Sequence, residues 1–322
     1  VMELLRIPVG AWVAGGIDWI KTNLDWLLDL VSVAMRWLID SLTDVLLAVP
    51  APALILVAAL LGWAIRSWQL AVGTAVTFLL IVAMDQWETS MQTLALVLIA
   101  TLLAIALAIP LGILAARNQA VSSFLRPILD FMQTMPAFVY LIPAVTFFSI
   151  GVVPGLFSTI IFALPPGVRF TELGIRGVDR ETVEAGHAFG ATSRQILRGI
   201  QLPLATPTIM AGINQVIMLA LSMAVVAGIV GADGLGKEVV SSISTLNLAK
   251  GVEAGLSVVI LAVFLDRVTA ALGNPGDYPR SLRAALARRR DASGPASDPA
   301  SGAGGETTDP ATADPAGATR AL

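Results

Sequence analysis

Residues 231–237 read G-A-D-G-L-G-K and fit the G-x4-G-K spacing of a phosphate-cradling loop. That chemistry needs a Ser or Thr after the lysine to hold Mg²⁺, and a strand before the first glycine. Here Glu238 follows and a long apolar run precedes, so the glycines are expected to end a span in a tight turn. His187 is the single histidine, and cysteine is absent. Histidine-based catalysis therefore has one residue to work with, and thiol nucleophiles, thiolate metal sites and disulfides are excluded. The stretches 94–116, 131–149, 204–232 and 254–265 contain no Asp, Glu, Lys or Arg. Proton-coupled transporters place an ionisable group at such depths, whereas sodium can be held by carbonyls alone. The residues thus point to no bond chemistry, no cofactor and no proton relay. If the chain moves a solute uphill, the energy should arrive from another subunit.

The elements that would position these residues are membrane helices. The 322 residues are 56% hydrophobic and 13% charged, with mean hydropathy +0.80. That composition excludes one or two soluble domains and fits a polytopic membrane protein. The first twenty residues lack a basic start followed by an apolar core, so no cleaved signal is expected. Apolar runs near 51–66, 69–84, 91–116, 127–149, 156–178, 204–231 and 251–272 predict about seven spans. The first two are so short that a re-entrant hairpin is the alternative. Breaks or bends are expected at Pro110 and Pro165-Pro166. Gly251 and Gly255 form a G-x-x-x-G pair suited to close helix contact.

Residues 1–49 are amphipathic. On a helical wheel Asp18, Asp25, Asp29, Arg36 and Asp40 share one arc, with Trp12, Trp19, Trp26 and Trp37 at its edge. Tryptophan at a polar–apolar boundary predicts a helix lying in the membrane interface. A helix packed on the protein's own spans is the alternative. Gly15-Gly16 is expected to interrupt it. From 275 to 322 the chain turns basic and then rich in Ala, Gly, Pro, Ser, Asp and Thr, a disordered tail by composition.

One polar insert, 179–203, separates the fifth and sixth runs. Its pattern predicts two short helices. Glu181 and Glu184 suit the positive end of the first, Gly190 the left-handed residue that ends it, and Thr192 or Ser193 the cap of the second. Pro203 is expected to stop the second helix. Ala188, Phe189, Ile196 and Leu197 give the hairpin an apolar ridge that it cannot bury alone, suited to a groove on a soluble partner. With this insert cytoplasmic, fifteen of the twenty Lys and Arg residues fall on the inner side. The positive-inside bias then puts the N-terminus outside and the C-terminus in the cytoplasm.

The insert also resembles a known family. E-A-G-x3-G-x9-I-x-L-P, carried by Glu184, Ala185, Gly190, Ile200, Leu202 and Pro203, is similar to the cytoplasmic E-A-A loop of permease subunits in binding-protein-dependent ABC importers. Gly186 departs from the usual alanine, a change worth about 1 kcal/mol of helix propensity. From Gln201 to Leu272 the chain most resembles permeases for glycine betaine, proline betaine and related quaternary amines. The resemblance covers about residues 50–272. It implies an all-α fold of the type I importer permease, a homodimer in the plasma membrane, two cytoplasmic ATP-binding subunits and an extracytoplasmic substrate-binding protein. It also implies that Glu184, Ala185, Gly186, Ala188, Phe189, Gly190, Ile200, Leu202 and Pro203 form the ATPase-coupling loop.

For the solute pathway, Asn214, Gln215, Met218, Ser222 and Met223 put polar and adaptable groups on the sixth predicted span, and Asn214, Met218 and Ser222 share a helical face. Tyr140 is among the aromatics that could meet a quaternary ammonium by cation–π attraction. Helix packing is the alternative role for all of these. Two other function classes stay open on the residues: an autonomous sodium-coupled transporter of a small osmolyte, and a non-transporting membrane scaffold.

Overall fold

The computed structural model describes residues 8–273, which are helical with no strand among them. The expected tail at 275–322 and the first seven residues lie outside the described residues. Helix α1 (Val9–Asn23) runs unbroken through Gly15 and Gly16, contrary to the expected interruption. Two glycines cost about 1 kcal/mol each in a helix, which weakens it without ending it. The break falls at Leu24, whose N–H closes the last turn of α1 on Ile20 and whose carbonyl opens α2 (Asp25–Ala48) for Leu27 and Leu28. Helix α2 lays Met35, Leu38, Ile39 and Leu42 on the main core, while Trp26 and Trp37 stay exposed.

Pro50 turns the chain by 102° into α3 (Ala51–Ile65). Helix α4 (Trp68–Ala83) returns beside it, capped by Ser67, whose hydroxyl accepts from the Leu70 N–H at 3.3 Å. These helices are about 22 and 24 Å long, against a hydrocarbon core of about 30 Å. They match the short runs read at 51–66 and 69–84 to within a residue at each end.

Helix α5 (Trp87–Arg117) carries Pro110 internally. The expected span at 127–149 is instead two pieces. Helix α6 (Gln119–Thr134) ends at Met135, which precedes Pro136 and is extended, as a residue before proline prefers. After a 108° bend, a 3-10 turn (Ala137–Tyr140) leads into α7 (Leu141–Phe148). Helix α8 (Val152–Arg176) continues through Pro165-Pro166, where a break was expected. Both prolines are buried, and packing by neighbours on either side holds the helix together.

The polar insert supplies α9 (Arg180–Ala188) and α10 (Ser193–Ile196). A π turn (Leu197–Gln201) then joins α10 to α11 (Leu202–Ala227). Helix α12 (Leu235–Ser244) and α13 (Leu248–Gly273) complete the described chain. Among the described residues, four helical segments are long and apolar enough to cross a bilayer, or six if each bent pair makes one crossing, against the seven runs read from the sequence.

The core forms where α8 lies between α5 and α11. A Cβ on Gly167 would meet Ala108 of α5 at 2.7 Å and Val216 of α11 at 3.2 Å. One on Gly112 would meet Thr171 at 2.5 Å. Small residues let the backbones approach where no hydrophobic drive separates helix from lipid. Helices α8 and α11 are antiparallel, with Gly155 against Ala227 at one end and Gly174 against Ala205 at the other.

Candidate functional site: a polar elbow and the helix it feeds

Each turn of the elbow has a local cause. Asp179 caps α9 by accepting from the Thr182 N–H at 3.2 Å. Glu181 lies in the first turn, whereas Glu184 falls beyond it and is exposed. Gly190 takes φ +77°, which closes α9 through Gly190 N–H to His187 and Ala191 N–H to Gly186. Thr192 is the cap of α10, in a reciprocal box with Gln195.

The expected four-residue ridge divides. Ile196 and Leu197 are buried, and Leu197 joins Ile175 and Ala205 in a cluster at the foot of α8 and α11. Ala188 and Phe189 face outward, with Phe189 92% exposed at the corner. The elbow is therefore fixed to the spans by one apolar side and offers the other. Gly186 has a packing reason that its type alone did not reveal. A Cβ there would come within 2.9 Å of the Ile200 Cδ1 and 3.3 Å of the Ile196 Cγ1, so α9 rests directly on the following turn.

Pro203 does not stop the helix. Residues Ser193–Val230 form one apolar helical segment of 38 residues, and the π turn at 197–201 lies just before the proline. Proline lacks an N–H and its ring crowds the carbonyl four residues back. A wider i→i+5 turn relieves that crowding without ending the helix.

A charged cluster beside the elbow had no signal in the sequence beyond scattered arginines. Glu172 on α8 accepts a hydrogen bond from Ser122 on α6 at 2.7 Å and pairs with Arg176 at 3.0 Å and Arg126 at 3.8 Å. Arg176 also donates to the Ala115 carbonyl and to Gln119, both at 2.8 Å. Arg169 pairs with Asp130. These groups line a cavity of about 380 Å³ floored by Leu129 and Leu173.

The candidate pathway residues point three ways. Gln215 and Ser222 are exposed on α11. Asn214 instead donates to Asp266 of α13 at 2.9 Å, and Met218 packs on the main core. Met223 is fully buried with Tyr140, whose ring meets Phe162 edge-on at 5.9 Å and whose hydroxyl donates to the Met132 carbonyl. Tyr140 and Met223 are thus brought together in a closed cluster, away from Gln215 and Ser222.

At the other end of α11, the glycines of 231–237 serve backbone crossing. Gly231 and Gly234 have φ +82° and +115°. A Cβ on Gly228 would lie 2.3 Å from the Gly236 carbonyl carbon. The Leu235 N–H donates to Thr93 of α5 at 2.8 Å. Asp233 binds Lys237 at 2.7 Å and holds its ammonium above the usual lysine range, by hydrogen bond first and charge second.

Comparison with known proteins adds four findings. Residues 108–274 match the family described as binding-protein-dependent transport system inner membrane component. The chain is 47% identical over 267 residues to the glycine betaine/proline betaine transport system permease protein ProW of Escherichia coli, covering 83% of this chain and 75% of that one. It is 46% identical to the glycine betaine transport system permease protein OpuAB of Bacillus subtilis, covering 83% and 95%. Among solved structures, an inward-facing form of the MetNI methionine ABC transporter superposes with a TM-score of 0.55 at 20% identity, covering 59% of this chain and 95% of that chain. At that identity the likeness speaks for the fold alone, which is the permease fold of an ABC importer.

Proposed function

The chain belongs to the inner membrane components of binding-protein-dependent transport systems, and on that footing we propose that it is the permease subunit of an ATP-driven importer for glycine betaine, proline betaine or a related quaternary amine. The substrate class rests on the names of relatives 44–47% identical to it. The observation that carries the mechanism is the elbow, anchored at Leu197 and exposed at Phe189. Two cytoplasmic ATP-binding subunits grip the 179–203 elbow of each copy in a homodimer. ATP draws those subunits together, and the elbows drag α8 and α11 from an inward-open to an outward-open arrangement. A partner that binds one arrangement better than the other shifts the population between them. The chain itself breaks no bond.

Orientation follows from charge: the elbow and the C-terminus are cytoplasmic, the N-terminus outside. The exposed face of α11 with Gln215 and Ser222 lines the pathway, completed by the second copy. A weak site there suits passage, since a tightly held solute leaves slowly. A separate binding protein supplies affinity and hands its ligand over at the outer face.

The test is reconstitution in sealed vesicles with the ATPase and the binding protein of the same system. Uptake of labelled glycine betaine should require ATP and both partners. Concentrative uptake by the permease alone under a sodium gradient would instead make it an autonomous transporter.

A further inference from the structure

The cavity between α6 and α8 has a charge left over. Arg126, Arg169 and Arg176 line it against Asp130 and Glu172. Three cations thus face two carboxylates, and one positive charge is uncompensated. The arginines are not equally engaged. Arg176 uses all three guanidinium nitrogens, on Glu172, Gln119 and the Ala115 carbonyl. Arg169 gives one nitrogen to Asp130. Arg126 has only its 3.8 Å approach to Glu172, beyond hydrogen-bond reach, and its side chain is 60% exposed. The Glu172 oxygen that it approaches already takes Ser122 and Arg176. A guanidinium carries five donors. Among the described residues, Arg126 on one wall and Arg169 on the other therefore keep donors for something else.

Size and level say what that is. The space of about 380 Å³ falls in the range of small-ligand sites. Helix α8 has 25 residues. It is thus about 37 Å long at the helical rise, against about 30 Å of hydrocarbon, so an end of it reaches the head groups. Arg176 is its last residue, and Arg169 lies two turns earlier. The cavity therefore takes up roughly the last 10 Å of the helix. Helix α6 runs antiparallel beside it, with Gln119 meeting Arg176 and Asp130 meeting Arg169. Arginine stems at this depth lie along apolar surface and hold their heads at the membrane boundary. Leu173 opens one side of the cavity as an exposed apolar surface, and Phe124, Ile128 and Phe131 do the same on α6. A basic pocket between helices at this level, with apolar surface beside it, suits a lipid head group.

We propose that this cavity is an oxyanion site that holds one phosphate between Arg126 and Arg169. The phosphodiester of a phospholipid is the source that its level favours; inorganic phosphate is the other source of the same chemistry. A phosphodiester carries one negative charge, which cancels the surplus. Its two unesterified oxygens accept from Arg126 and Arg169 on opposite walls, and a guanidinium fork suits such oxygens. Bound there, the phosphate ties α6 to α8 on the open side of the strap that Ser122 and Glu172 make on the closed side. The site goes beyond the importer reading and does not need it. Only the leaflet, cytoplasmic on the orientation given above, depends on that reading.

The experiment uses the full chain, purified in dodecyl maltoside without phosphate and stripped of lipid. Its melting temperature is titrated with dihexanoylphosphatidylglycerol, with inorganic phosphate, and with dihexanoylglycerol, which has the same chains and no phosphate. A ligand that binds the folded state raises the melting temperature as it saturates. The phospholipid should do so and dihexanoylglycerol should not. Arg126→Gln should raise the half-saturating lipid concentration tenfold or more, and Arg169→Gln should act in the same direction. Arg126→Lys keeps the charge without the fork and should fall between wild type and Arg126→Gln. A response to the phospholipid alone assigns the phosphate to the membrane. A response to inorganic phosphate at the same concentration or lower, weakened in Arg126→Gln, supports the site with a free anion as its source. An equal rise with dihexanoylglycerol, no rise with either phosphate compound, or an unchanged half-saturation in all three variants overturns the proposal.

Discussion

Ser122 on α6 donates to Glu172 on α8 at 2.7 Å, across a chain separation of fifty residues. That bond centres the strap of Arg126, Arg176 and Gln119 that holds α6 to α8 beside the elbow. Glu172 is the hub because its side chain is 12% exposed while the arginines reach solvent.

Glu172→Gln should keep the Ser122 contact and lose the charge that draws both arginines. The expected cost is about 1–2 kcal/mol, the range for a charge-assisted bond partly screened by water. A fall in melting temperature of the detergent-purified protein reads it. An unchanged transition would show that the strap does not stabilise the fold.

Gly190→Val should disrupt the elbow, because φ +77° is costly for a branched residue, about 1–2 kcal/mol. ATP-driven uptake should fall strongly, while Gly190→Asn, which tolerates that region, should retain most of it. Equal uptake in the valine variant and the wild type would refute the coupling role of the turn.

Gly186→Ala tests packing against propensity. Alanine adds about 1 kcal/mol of helix preference to α9, but its Cβ meets the Ile200 Cδ1 at 2.9 Å. That atom is the far end of a side chain that can turn, so net stabilisation of up to about 1 kcal/mol is expected. Hydrogen exchange of the α9 amides should slow; faster exchange would mean that Ile200 cannot yield.

Ser222→Trp should block solute while sparing assembly, since position 222 faces outward on α11. Co-purification with the ATPase should persist as uptake falls by tenfold or more. Normal uptake would remove that face from the pathway.

The sequence made the elbow legible because its signals are local. Gly190 and Thr192 act on hydrogen bonds within four residues of themselves, whereas the Asp179 cap of α9 was not among the signals read. The long apolar segments were legible for the same reason. What stayed hidden depends on neighbours. Pro165-Pro166 and Pro203 read as breaks, yet burial between helices carries the first and a widened turn the second. The 108° bend at Met135-Pro136 was hidden because 131–149 carries no charged residue on either side of it. Helical spacing put Asn214 and Ser222 on one face, but only packing revealed that α13 covers the former and leaves the latter open. Glu172, Ser122 and Arg126 lie far apart in the chain and carry no motif.

The widened turn at 197–201 has a mechanical consequence. Ser193–Val230 is a single rod of 38 residues, about 57 Å long at the helical rise. Its widened section lies near one end, beside the handle. Under the proposed mechanism this rod is a crank: a push of a few ångströms at the elbow is delivered along the shaft, and the widened turn of five residues next to the grip takes up part of it. Stiffening those five residues should therefore change how much travel reaches the far end rather than how firmly the handle is held.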